Sequence, residues 1–273
     1  MRAKLRWAPP AQTSPTTVNV GKSFWTNVET PFADNEDYVL TLPADGPRTS
    51  DIQVFGGRHG RIIGGHMGPG RLLAYDLTGS LFVEGLRWEM TTMSDCIGIR
   101  AKTGYTPNWY FQNLNFSGVH GEAAGVHADM IQAHGLIGGT IHVHGVTGDS
   151  NYQGFFIPED FTSLHVEGLK VSCSNFRGNA QPGGIPQPIF LYMQVEETGT
   201  RAYPVELSSV WCDPTGDISF SATCKPEGNV SGELMHWPSA AAVIGVVFNG
   251  SPPVDFCPAT SVGVGYVSPG YVT

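Results

Sequence analysis

Short apolar runs of two-residue period recur along this chain, each interrupted by a small residue and then resumed. The clearest copies are residues 61–65, 81–86, 110–116, 140–146 and 164–171, with weaker ones at 205–210 and 242–247. Alternation of this kind predicts strands. The interruptions fall at Gly64-Gly65, Gly85, Asn113, Gly145, Gly168, Ser208-Ser209 and Gly245. Such residues tolerate the left-handed backbone that a chain needs to turn a corner between two sheets. Copies recur about every 21 to 41 residues, the coil length of a parallel β-helix. No helix-period stretch of useful length intervenes. The pattern therefore predicts an all-β, right-handed parallel β-helix with irregular N- and C-terminal capping segments. A β-sandwich, which would want regular hairpins, is the second reading.

A second series follows the first. Residues 94–99, 128–133, 151–157 and 188–193 each supply another short apolar piece per coil. Successive coils stack at about 4.8 Å, so equivalent positions form ladders. If Ile97 and Ile131 both face the core, Asp95 and Asp129 lie one coil apart on the same line. The predicted organisation is an N-terminal cap or docking arm over residues 1–50, a β-helix over 51–250, and a C-terminal cap or tail over 251–273. The arm is proline-rich, with aromatics at Phe24, Trp25 and Phe32 and one strand candidate at 38–43.

Composition narrows the classes. Charged residues are 14% of the chain, and glycine is abundant at 35 residues, as a turn-rich β protein requires. The net charge of −9 disfavours a nucleic-acid or polyphosphate partner. No run is long and apolar enough to cross a bilayer, and no membrane insertion is expected. The first ten residues are basic but reach two prolines without an apolar stretch, so synthesis in the cytoplasm without an export signal is expected. Five cysteines (Cys96, Cys173, Cys212, Cys224 and Cys257), without a CxxC pair, read as buried thiols. A Cys212–Cys224 bridge is the alternative.

The densest chemistry lies at residues 126–135, where His127, Asp129, Gln132 and His134 interrupt an apolar run between glycine-rich turns. Stacked carboxylates repel, so one of Asp95 and Asp129 should have a raised pKa and the pair should titrate together; glycosidases need such an acid and base pair. With His127 and His134 they form a candidate catalytic set; the alternative is that each aspartate hydrogen-bonds the backbone at a turn. His142 and His144 alternate with Ile141 and Val143 and so project from one outward face, a possible half-site for a divalent metal. Gln132, Trp109, Tyr152, Gln153 and Glu159 combine aromatic faces and polar groups in the manner of a glycan groove. Phe155 and Phe156 point opposite ways, so one of them is core.

Residues 127–132 together with 145–158 resemble a group of bacterial and phage-borne right-handed β-helix proteins of the pectate-lyase-like superfamily, and the likeness extends over residues 37–170. The Asp-Asp pair and Arg-Ile-Lys of the polygalacturonases on that fold are absent, so their mechanism does not transfer. The resemblance implies a phage tail or tail-tip protein that binds host cell-surface or cell-wall polysaccharide, with depolymerase activity undecided. Such a protein would sit in the virion as a homo-oligomer among other tail proteins, with no cofactor required. The alternatives are a polysaccharide lyase or glycoside hydrolase, and a non-catalytic carbohydrate-binding module.

Overall fold

The computed structural model describes residues 4–21, 26–27, 32–121, 126, 128–151, 153–157, 162–174, 189–193, 204–215, 235–236 and 242–272. Its strands are β1 (Thr16–Asn19), β2 (Thr26–Asn27), β3 (Tyr38–Thr41), β4 (Ile52–Phe55), β5 (His59–Met67), β6 (Leu72–Leu77), β7 (Ser80–Glu89), β8 (Ile97–Ala101), β9 (Asn108–Val119), β10 (Ile131–Ala133), β11 (Thr140–Ser150), β12 (Gln153–Ile157), β13 (Ser163–Ser174), β14 (Ile189–Met193), β15 (Pro204–Thr215), β16 (Met235–His236), β17 (Ala242–Ile244) and β18 (Val247–Asn249). The odd-numbered strands, with β18 beside β15, form a ten-stranded sheet, and the remaining even-numbered strands form an eight-stranded one. Neighbours pair in parallel in both. The chain thus visits the two sheets alternately, adding a strand to each, a connectivity compatible with a β-helix.

Register explains why the sequence adopts this arrangement. Leu81, Trp109, Ile141, Leu164 and Val205 are successive partners in the ten-stranded sheet and all are buried. Ile52, Leu72, Ile97, Ile131 and Phe155 form a matching buried ladder in the eight-stranded sheet. These inward rows meet to make the core, reinforced by Trp88 stacked on Phe116 at 5.1 Å. The Ile97–Ile131 pairing is the one expected. Phe155 is core and Phe156 is half-exposed, as opposite-facing neighbours must be.

Each long strand bends where the sequence places its small residue. Gly64, Gly85, Asn113, Gly145, Gly168, Ser209 and Gly245 all have positive φ, between 53° and 105°. The pairings that flank the first six set them side by side as a ladder of left-handed rungs. Gly85 shows why a side chain is excluded at its rung: a Cβ there would lie 2.2 Å from the ring of Tyr266.

The ends of the chain depart from the expected organisation. Residues 1–50 are no separate cap, because β1 pairs with β3, β3 with β5 and β2 with β4. β3 falls on the strand candidate at 38–43, whereas β1 and β2 are too short to display a period and are defined by their parallel neighbours. Nor does the tail cap the last coil: it runs back as a strap across the outside of the ten-stranded sheet. The Asn115 amide donates to Cys257 O at 2.7 Å, Gly65 N to Gly263 O at 3.0 Å, and Gly263 N to Gly85 O at 2.9 Å. The strap satisfies backbone groups that the bends leave unpaired. Near its end Leu5 bridges Tyr271. Beneath it lies Glu84, fully buried, accepting from the hydroxyls of Tyr266 and Tyr271, both at 2.8 Å. Tyr266→Phe removes one of these donors and leaves a buried acid short of a partner. A loss of about 1–3 kcal/mol is expected, and an unchanged thermal midpoint would show that Glu84 is satisfied without it.

Candidate functional site

The outer side of the eight-stranded sheet carries its own ladder. Gln53, Leu73, Gly98, Gln132 and Phe156 are successive partners, and Phe55, Tyr75 and Arg100 form the row two residues further along. His134 continues that second row, its amide donating to Ile99 O at 2.9 Å. Gly98 allows the imidazole to lie flat on the sheet, since a Cβ at that position would stand 2.8 Å from the ring. Tyr75 meets His134 edge-on at 5.7 Å, and the Arg100 guanidinium covers the other part of Tyr75 at 4.7 Å. A bulge at Asp76, with φ of 60°, turns its carboxylate to clamp Arg100 through two hydrogen bonds of 3.0 and 2.9 Å. Arg71 is held likewise by Asp51. A hollow of about 260 Å³ lined by Phe32, Asp34, Phe55, Gly56, Asp76 and Lys102 adjoins this row at Phe55.

Three of the four expected catalytic residues meet here; His127 lies outside the described residues. Asp95 Oδ1 accepts from the backbone amide of Asp129 at 3.0 Å. With its amide turned to donate, Gln132 lies 2.5 and 3.1 Å from the two Asp95 oxygens. His134 Nε2 is 3.7 Å from Asp95 Oδ2. Burial first, then Arg71 and Arg100, holds the His134 pKa below its usual value, favouring the neutral ring. Asp129 is a different case. Its side chain is fully buried, and among the described residues neither carboxylate oxygen has a hydrogen-bond partner. Desolvation, and secondly the charge of Asp95, pushes its pKa well above the carboxylate range. The raised pKa thus comes chiefly from burial, with no hydrogen bond between the two carboxyl groups, on a side chain without access to a polymeric substrate.

The expected glycan-binding residues separate. Gln132 stands on the open face. Trp109 is a correction: it is wholly buried, its indole N–H donating to Ile137 O at 3.1 Å, and its neighbour Tyr110 is the one that faces outward. Gln153 lies in β12, where its backbone pairs with Ile189. Tyr152 and Glu159 fall outside the described residues. Tyr75, Arg100 and Phe55 were missed because Tyr75 ends an apolar run, Leu72-Leu73-Ala74, that reads as core; the signal was the register of that run on residues 52–55.

His142 and His144 do project from one face, but Trp7 lies over them. Its ring is 4.9 Å from His142, 5.9 Å from His144 and 5.7 Å from His165, while Tyr110 stacks on His142 at 4.6 Å. Burial, then His165, pushes the His142 pKa down to about 4. Among the described residues no three His, Cys, Asp or Glu side chains are grouped to hold a metal ion. The pair carries an aromatic box for the N-terminal segment in place of an open half-site.

Cys96, Cys212 and Cys257 are buried, and burial raises the Cys96 thiol pKa well above its usual value; Cys224 lies outside the described residues. No helix among the described residues is long and apolar enough to cross a membrane. Compared with known proteins, the chain matches no family model, no curated protein and no solved structure.

Proposed function

We propose that this chain is a right-handed parallel β-helix that binds host cell-surface polysaccharide along the outer face of its eight-stranded sheet, as an attachment protein of a phage tail. The observation that carries the binding reading is the asymmetry of the two sheets. The ten-stranded sheet has its outer face covered by the chain's own ends, through Trp7, Tyr266 and Tyr271. On the eight-stranded sheet the row of Phe55, Tyr75, Arg100 and His134, with Gln132 and Phe156 beside it, stays partly exposed. Rings that stack on sugars alternate there with groups that hydrogen-bond hydroxyls. The right hand follows from the strong preference of parallel crossover connections. The tail assignment rests on the resemblance of residues 127–132 and 145–158 to bacterial and phage-borne β-helix proteins.

Binding is favoured over cleavage because a catalytic acid must touch the glycosidic oxygen, and Asp129 is sealed behind Asp95. The test is titration of capsular and cell-wall polysaccharide onto wild type, Tyr75→Ala and His134→Ala. Each variant is expected to weaken binding about tenfold or more, while Tyr110→Ala on the other sheet leaves it unchanged. Equal affinities across all four proteins would remove the site. New reducing ends or absorbance from an unsaturated product would replace binding by cleavage.

A further inference from the structure

We propose that the slot beneath the C-terminal strap binds an amphipathic anion: a small molecule with a linear apolar body and a carboxylate head. The slot encloses about 570 Å³, within the roughly 300–1,000 Å³ of small-molecule sites. Its floor is the bend ladder itself, at Asn113, Gly145, Gly168 and Ser209. Four rungs at the inter-strand spacing make it about 14 Å long, which suits a chain better than a disc. Its roof is Val254, Phe256 and Pro258, without a hydrogen-bonding side chain among them. A Cβ on Gly168 would already touch the Phe256 ring at 3.4 Å, so Phe256 packs against that rung and walls the slot there, while at Gly145 the floor is open.

Charge identifies the head group. Of the two acids at the slot, Glu167 is engaged by Arg6 at 3.3 Å. Asp255 accepts from the Thr147 hydroxyl at 2.5 Å and from Cys257 N at 3.1 Å. Lys4, which lines the same slot, meets no acidic side chain among the described residues. His144 lines it as well, and its buried Nδ1 has no hydrogen-bond partner among the described residues. A carboxylate head would pair with Lys4, while the apolar body displaces water along the wall that Phe256 makes. A sugar would leave its hydroxyls unsatisfied against that roof. The slot lies on the ten-stranded sheet, away from the proposed glycan face, so the two ligands do not compete.

Calorimetric titration of the full chain with decanoate and with 1-decanol tests this. Decanoate is expected to bind about threefold more tightly than decanol, the equivalent of one ion pair to the exposed Lys4. Lys4→Met should bring decanoate down to the decanol value without changing decanol. Val254→Trp, which lays a ring across the slot at an exposed position, should weaken both probes while circular dichroism shows the fold retained. Equal affinity of the two probes for wild type, no heat from decanoate up to its solubility, or decanoate affinity unchanged in either variant overturns the proposal.

Discussion

Replacing Trp109 by alanine is expected to destabilise the fold by about 3–5 kcal/mol, the usual range for emptying a fully buried indole. The site is poorly able to collapse. Trp109 is a rung between Leu81 and Ile141, and the backbone hydrogen bonds of those neighbours fix the spacing on both sides. The loss also removes one of two donors to Ile137 O, which keeps the bond from Gly139 N at 2.8 Å. Urea denaturation should show a lower midpoint with the slope nearly unchanged, because the surface exposed on unfolding is similar. Tyr110→Ala, one residue along, is the contrast. Its ring lies on the outside against His142, so the expected cost is under about 1.5 kcal/mol. If the two substitutions cost the same, the parity of β9 is wrong.

Asp129 is expected to contribute a fall in stability as pH rises from about 4, against the rise contributed by partly buried histidines such as His134 and His142, and Asp129→Asn is expected to remove that contribution. The Asp129 carboxyl has its folded pKa raised well above 3.8, by burial and by Asp95. Below pH 3.8 both folded and unfolded chains hold the proton, and the stabilisation is complete. Above it the unfolded chain releases the proton while the folded chain keeps it, so unfolding gains with each step until the folded pKa is passed. The limiting slope is one proton, about 1.4 kcal/mol per pH unit. Asparagine keeps the shape and has no proton to release. Chemical denaturation of both proteins between pH 4 and 7 measures the difference, and parallel pH profiles would mean that Asp129 is ionised in the fold.

Much of the architecture was legible because its causes are local. A left-handed rung needs glycine, asparagine or serine, and those letters stand at every bend from Gly64 to Gly245. The Ile97–Ile131 register was legible because both lie two residues beyond an aspartate in equivalent pieces. The parity of Trp109 was misread although its partners Leu81 and Ile141 are both apolar and mark it as core. Other features depend on contacts between distant residues, which no local pattern announces. Nothing in the alternation of valine and glycine after residue 260 says that Tyr266 will reach Glu84. Nothing near Trp7 says that it will lie over three histidines, and the metal reading of His142 and His144 failed for that reason.

The strap also sets the order of assembly. Each strand pairs only with its neighbours in the sheet, so strands can be added one at a time with short loop closures. The strap joins partners far apart in sequence: Asn115 and Cys257 are separated by 142 residues, Glu84 and Tyr271 by 187. It can close only after the coils beneath it exist, and until then the acid of Glu84 faces water along an unprotected flank. Folding should therefore end in a slow, late phase reported by the tyrosines of the strap, well after most of the β-sheet signal has formed.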